Sequence, residues 1–479
     1  MTVGETPAAE AWREGRGGEQ AEGVWQTGRP GDPGARYSAY MEAPVDWIGE
    51  IPAHWDVVAL KRVAPFVSRG SAPEYAEDET GTPVINQACV YWDGLRLDRV
   101  KYDQSPRPAK TRKGYLQKGD VLVNSTGTGT LGRAAVFKAT GEHIADTHVT
   151  IVRLDRAQCE PRYLAYLLAT PIYQGFIYTA LVSGSTNQIE LSREDLRAAP
   201  TILPPLDEQS AIAAFLDRET AKIDALIEKK QQMTKLLSER VQSIIDRQCF
   251  GLSNDALEPN SSRYWFPELP ACWTICAIKN LADYGYRTFT DGDWVETPYI
   301  RSDGVRLIQT GNIGIGRYRE QGYRYISEES FEDLDCTEVV PGDILICRLA
   351  EPVGRACVAP NLGKKMITSV DVCIIKPRSE VNSQYVSYLL STSYYLNWMD
   401  AIARGGTRGR VSRTMLGEIR APLPPREVQD QIVSNLTAEI KHIDDLDKKL
   451  GDQIRQLREY RTALISATVT GQIDVRGRV

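Results

Sequence analysis

Histidine is scarce: His54, His143, His148 and His442 are the only four in 479 residues. So few leave little basis for a His/Cys zinc site or for a Ser-His-Asp order, so no metal is expected. The nine cysteines form no C-x-x-C pair, and that usage fits a reducing cytosol better than a disulfide framework. A cytoplasmic location is therefore expected. No uninterrupted apolar run approaches the roughly 18 residues of a membrane span, and the N-terminus lacks a charged-then-apolar signal layout. A phosphate loop of the form Gly-x-x-x-x-Gly-Lys-Ser/Thr is missing as well. The formal charge of −6 argues against a general polyanion coat.

What the chain does have is a copy of itself. Leu203-Pro204-Pro205 returns as Leu423-Pro424-Pro425, Gln209 as Gln429, Ile212 as Ile432 and Leu216 as Leu436, an ungapped offset of 220. The match runs on through Ile223/Ile443, Asp224/Asp444, Leu226/Leu446, Leu237/Leu457 and Ile245/Ile465. Upstream, Trp47-x-x-Glu50-x-Pro52-x-x-Trp55 recurs as Trp265-x-x-Glu268-x-Pro270-x-x-Trp273. Val84-Ile85-Asn86-Gln87 aligns with the segment Arg306 to Thr310. Gly119-Asp120-Val121-Leu122 aligns with Gly342-Asp343-Ile344-Leu345, Gly132-Arg133-Ala134 with Gly354-Arg355-Ala356, and the Tyr163 and Tyr385 segments with each other. Two globular domains therefore alternate with two long helices, and function must be read per half and then doubled.

The helices declare themselves by a seven-residue apolar period. Ile223, Lys230, Leu237 and Ile244 form one row, with Leu226, Met233 and Arg240 three residues later. Ile443, Leu450, Leu457 and Leu464 form the matching row, with Leu446, Gln453 and Tyr460 beside it. Such a seam makes a coiled coil. Three heptads are short for a free dimer, so each helix is expected to pair antiparallel with its own copy. From Ile212 to Ile245 an unbroken helix spans about 50 Å, or roughly 35 Å if it breaks near Thr220. Both lengths are close to one turn of B-DNA, the spacing of half-sites addressed from one face.

Each globular half reads as short Val-, Ile- and Tyr-rich runs punctuated by Gly, Asp and Pro, a β-rich α+β domain. Charge is uneven. Residues 101–138 carry eight lysines and arginines against Asp103 and Asp120, and residues 404–420 carry five arginines against Glu418. These stretches suit a nucleic-acid surface, although solvated loops would look the same. A polar loop follows each Tyr-Leu-Leu helix: Ser183-Gly184-Ser185-Thr186-Asn187-Gln188 in one half, Arg404 to Arg410 in the other. Gly127-Thr-Gly129-Thr-Leu-Gly132 matches a dinucleotide fingerprint, but the residues after Arg133 read as a strand where that fingerprint needs a helix. The loop is better used projecting hydroxyls and backbone N–H groups toward DNA.

The tryptophan opening at 47–55, the Gly-Asp-Val/Ile-Leu strands, the polar loops and the Leu-Pro-Pro…Gln helices together resemble the DNA-specificity subunit of type I restriction-modification enzymes. The likeness covers about 40–475. It implies an α+β architecture of two β-rich target-recognition domains alternating with two long helices, which pair as an intramolecular antiparallel coiled coil. Expected boundaries are 1–38 for a disordered extension, 39–202 and 251–422 for the recognition domains, 203–250 for the central helix and 423–479 for the C-terminal helix. The seam is expected at Ile223, Leu226, Leu237, Ile244, Ile443, Leu446, Leu450, Leu457 and Leu464. The resemblance further implies a bipartite double-stranded DNA site and two methyltransferase partners, with nuclease/translocase subunits joining through the complex. It implies no cofactor in this chain, with S-adenosylmethionine, ATP and Mg on the partners. Catalytic residues are expected to be none: the Asn/Asp-Pro-Pro-Tyr/Phe of an adenine methyltransferase is missing, since both Pro-Pro pairs follow leucine and start helices. Candidate DNA contacts are Asn124, Thr126, Thr128, Arg133, Thr186, Asn187 and Gln188 in the first domain, and Arg348, Arg355, Arg404, Arg408 and Arg410 in the second. Asn and Gln can pair with adenine and Arg with guanine; the matched Arg133 and Arg355 suit phosphate or structure better than base reading. The competing reading is a protein–protein scaffold, two interaction domains on a coiled-coil spacer without DNA.

Overall fold

A computed structural model describes residues 36–105, 108–127, 129–183, 189–251, 265–267, 269–349, 351–403 and 409–477. The chain divides into two units. One runs to Lys229 and takes back Asp452 onward; the other is Lys230–Gly451. Each unit therefore holds one globular domain, part of the helix that follows it, and part of the other helix.

In the first unit the central sheet consists of β1 (Phe66–Arg69), β2 (Val121–Asn124), β3 (Ala134–Val136) and β4 (Val149–Arg153), in the order β3-β2-β4-β1, all antiparallel. All four residues of β2 are buried, because its two faces serve two cores. Val121 and Val123 join the large core of Trp55, Tyr163, Leu164 and Tyr173, while Leu122 joins a smaller one with Ile85, Phe137 and Ile151. This is why the Gly-Asp-Val-Leu-Val run shows no alternation. The Gly-Asp pair itself is a turn: Gly119 sits at φ +95°, and the buried Asp120 accepts from the Gln117 N–H at 2.7 Å and from Arg153 at 2.8 Å.

The second unit repeats the design. After α1 (Leu206–Gln248), the strands β5 (Phe289–Asp291), β6 (Ile344–Cys347), β7 (Ala356–Val358) and β8 (Val372–Ile375) form a sheet of order β5-β8-β6-β7. Ile344 and Ile346 face one core, Leu345 and Cys347 the other. Asp343 accepts from the Val340 N–H at 2.9 Å, as Asp120 does from Gln117.

The diproline starts both α1 and α2 (Arg426–Val469) and is fastened by the glutamine that follows. Gln209 donates to the Pro204 and Gln158 carbonyls and accepts from the Glu160 N–H. Gln429 repeats this with Pro424, Glu380 and Asn382, and neither glutamine has any exposed surface. At their far ends the helices meet a buried tyrosine: Tyr163 donates to the Val469 carbonyl in one unit, Tyr385 to the Cys249 carbonyl in the other.

Both helices are continuous. α1 has 43 residues and α2 has 44, with no break near Thr220, so each is about 65 Å long at 1.5 Å per residue. Their pairing is antiparallel: in the first unit Asp224 of α1 meets Arg461 of α2, and Glu208 at the start of α1 meets Arg476, just past the end of α2. In the second unit Gln248 donates to Glu439.

The seam needs correction at two positions. Ile223, Ile244, Ile443, Leu450 and Leu464 are buried, and Leu237 and Leu457 pack against the cores. Leu226 and Leu446, however, are 47% and 38% exposed. A four-residue step keeps Ile227 against the first core, and a three-residue step carries Leu226 off the narrow stripe. The folded region also begins earlier than residue 39: Tyr37 is buried against Trp55 and His54. No single helix among the described residues is long and apolar enough to cross a membrane.

Candidate nucleic-acid interface

At one end of each central sheet four loop segments converge. In the first unit they are the residues after β1, the Ser125–Arg133 loop between β2 and β3, the turn before β4, and the segment reaching Glu190. Gly70 is required there, because a Cβ would collide with the Ala145 and Asp146 carbonyls; Gly292 stands at the same point of the second unit against Thr368 and Ser369. In the first unit Thr126 bridges Glu190, matched in the second by a bridge between Leu349 and Arg410.

Ion pairs hold both junctions, and the charges at two matched positions are exchanged although their partners differ. In the first unit Arg69 pairs with Glu190 and donates to the Leu191 carbonyl. In the second unit the register position of Arg69 is held by Asp291 and that of Glu190 by Arg410. Asp291 lies 3.1 Å from Arg348 and Arg410 pairs with Asp371 at 2.9 Å. The same frame thus presents opposite charges at corresponding points.

The candidate contact residues divide accordingly. Asn124 is fully buried, its amide donating to the Gln87 carbonyl, so it holds the neighbouring loop and does not present itself to a ligand. Arg348 and Arg355 are also corrected to internal residues. Arg348 donates to the carbonyls of Val370 and Val411. Arg355 donates to four carbonyls, those of Thr310, Ile313, Leu349 and Pro352. Burying a guanidinium is tolerable only when its donors are satisfied, and the backward-folding loops supply the acceptors. Thr126 lies on the open side, its hydroxyl 2.8 Å from His148 Nδ1 and 3.4 Å from Gln87 Oε1. Arg133 donates to the Gly129 carbonyl and lies over the Tyr91 ring. Arg410 is half-exposed beside Asp371. Thr128, Thr186, Asn187, Gln188, Arg404 and Arg408 lie outside the described residues.

Sequence reasoning missed Gln87, His148 and Tyr75, which line the same end in the first unit. Tyr75 donates to Asp146, whose carboxyl is raised by burial and also accepts the His148 N–H. Gln87 stands where the second unit has Thr310, so the repeat gave no signal for it. Gly127-to-Gly132 ends in β3, a strand, so it opens no dinucleotide-binding helix. Burial pushes the Cys89 and Cys159 thiols up to about 11 and about 12, which suits packing rather than nucleophilic chemistry.

The sequence profile of the type I restriction modification DNA specificity domain matches this chain twice, over residues 52–235 and 280–456. The chain belongs to that family. The two matches fall one on each copy of the fold, so the duplication read from the sequence is a duplication of the specificity domain. A Methanocaldococcus jannaschii protein named for the specificity subunit of a type I restriction enzyme, MjaX, is 24% identical over 441 residues, covering 90% of this chain and 96% of its own. The type I restriction enzyme MjaVIII specificity subunit of the same organism is 22% identical over 450 residues, covering 89% and 94%. A solved chain, from work on complex assembly and conformational transition of the type I R-M system, shares the fold. It has a TM-score of 0.62 at 18% identity and covers 88% of this chain and 98% of that one.

Proposed function

We propose that this specificity-family chain reads a bipartite double-stranded DNA site, one half through each globular domain, and directs adenine methylation and restriction carried out by partner subunits. The observation that carries the reading is the pair of matched loop junctions: one frame, built twice, with different and even sign-reversed side chains at its open end. Two readers tuned to different half-sites need that combination, whereas a symmetric scaffold has no use for it. The chain itself supplies no chemistry: it positions two methyltransferase subunits, and through them nuclease/translocase subunits. S-adenosylmethionine, ATP and Mg belong on those partners. The complex works in the cytoplasm, where nine unpaired cysteines remain reduced.

The test is a domain exchange. Replacing residues 39–202 with the matching domain of a relative should alter one half of the methylated motif in the host methylome and leave the other intact. A change in both halves would rule out independent reading. Loss of no motif on deleting the gene, with no mobility shift of DNA by the chain and its methyltransferase partners, would restore the scaffold reading.

A further inference from the structure

Three guanidinium groups surround one aromatic ring in the first unit. Arg96, Arg99 and Arg133 lie 5.0, 5.4 and 5.0 Å from the centroid of Tyr91, and Arg99 also donates to the Tyr91 hydroxyl at 2.8 Å. A ring has two faces, so two of the three cations must share one. Their backbones are fixed: the Arg96 N–H donates to the Cys89 carbonyl, and the Arg99 carbonyl accepts from Asn86. Opposing charge is thin. Asp93 pairs with Arg96, and Asp98 is near enough to act on it. Neither Arg99 nor Arg133 has an ion pair among the described residues, and the Arg133 Nε is buried without a partner.

The second unit shows what the same position looks like when it is purely structural. There Arg355 replaces Arg133, its hydrogen-bonding groups taken up by four carbonyls, and Gly314 stands where Tyr91 does, so no ring is present. Arg133 has a single carbonyl, that of Gly129, and a Cβ on Gly129 would meet only open space. Gathering like charges at the open end of a domain and leaving them undersupplied with carboxylates prepares a seat for an anion.

We propose that Arg96, Arg99 and Arg133, arranged around Tyr91, form a phosphate clamp that grips the DNA backbone at the first domain's half-site, a contact the second domain does not make at its matched position. The proposal rests on the DNA-reading function above. The clamp fixes register and carries no base preference.

The experiment uses the full chain assembled with its methyltransferase subunits and measures Kd for specific and non-specific duplexes across a salt series. R99Q and R133Q should each weaken both duplexes alike and lower the slope of log Kd against log salt by about one unit. R133K should keep the slope. A neutral methylphosphonate at one backbone position of the first half-site should reproduce R133Q and add nothing to it. Arg99 is exposed, so R99Q carries the test even if R133Q folds poorly. Unchanged slopes in R99Q while the wild type binds DNA would overturn the clamp alone. Loss of methyltransferase assembly in place of DNA affinity would also overturn it, by showing the arginines to be a protein contact. Failure of the wild-type complex to bind any duplex would overturn the DNA reading and the clamp with it.

Discussion

Asp293 shows how one side chain sets a pH dependence. It is part-buried in the second unit, and burial raises its carboxyl from the ordinary 3.8 to about 6, although it accepts the Thr337 N–H at 2.9 Å. Between those two values the native chain holds a proton that the unfolded chain has lost. The stability this residue contributes is therefore present at low pH, falls as pH rises through that window, and is lost above about 6. Asp293→Asn keeps an acceptor for Thr337 and removes the ionisation. It should be more stable than the wild type above about pH 6 and indistinguishable below about pH 4, measured by urea midpoints across pH. A constant offset at all pH values would refute the assignment. Single residues were also where sequence reading was weakest. Arg348 looked like a surface cation because its acceptors, Val370 and Val411, are brought to it only by the fold, whereas the matched repeat position of Arg355 already pointed toward phosphate or structure. Thr126 does lie on the open side, but its hydroxyl already meets His148 and Gln87, partners that only the fold brings to it.

Elements were read more securely. The diproline and the apolar period located both helices because these signals are local. The role of the shared glutamine was not legible, since two of its three partners lie about 50 residues away. Gln209→Ala and Gln429→Ala each strand buried backbone groups in one unit, at a cost of at least ~1–3 kcal/mol. Chemical unfolding followed by hydrogen exchange should show the loss confined to the unit that holds the substituted residue. The corrected seam gives a sharper contrast. Ile223→Ala removes a buried side chain and should cost about 2–5 kcal/mol, while Leu226→Ala should stay within about 0.5 kcal/mol. Equal losses for the two would mean that Leu226 belongs to the seam after all. The four-residue step that decides between them depends on where the partner helix lies, and a heptad count cannot contain that information.

For the whole molecule the role proposed for the helices is spacing. Matched insertions of four residues in α1 and α2 lengthen the pair by about 6 Å, near two base-pair steps of about 3.4 Å. The methylated motif of such a variant should carry a longer non-specific gap between unchanged half-sites; an unaltered gap in methylome sequencing would refute the helices as the spacing element. The duplication made this architecture readable from sequence, since two copies of one order reveal which positions are frame. It could not reveal the loop contacts, where the copies differ by design.

The first unit is assembled from both parts of the chain, and this governs the order of events during synthesis. Its core includes Leu464, Ile465, Val469, Ile473 and Val475, so the domain that leaves the ribosome first is the last to be finished. The second unit needs nothing beyond Gly451 and can close earlier. Until the final turns of α2 arrive, Ile223 and the apolar surface that Leu464, Ile465 and Val469 will cover stay exposed, the kind of surface that makes a nascent chain prone to aggregation.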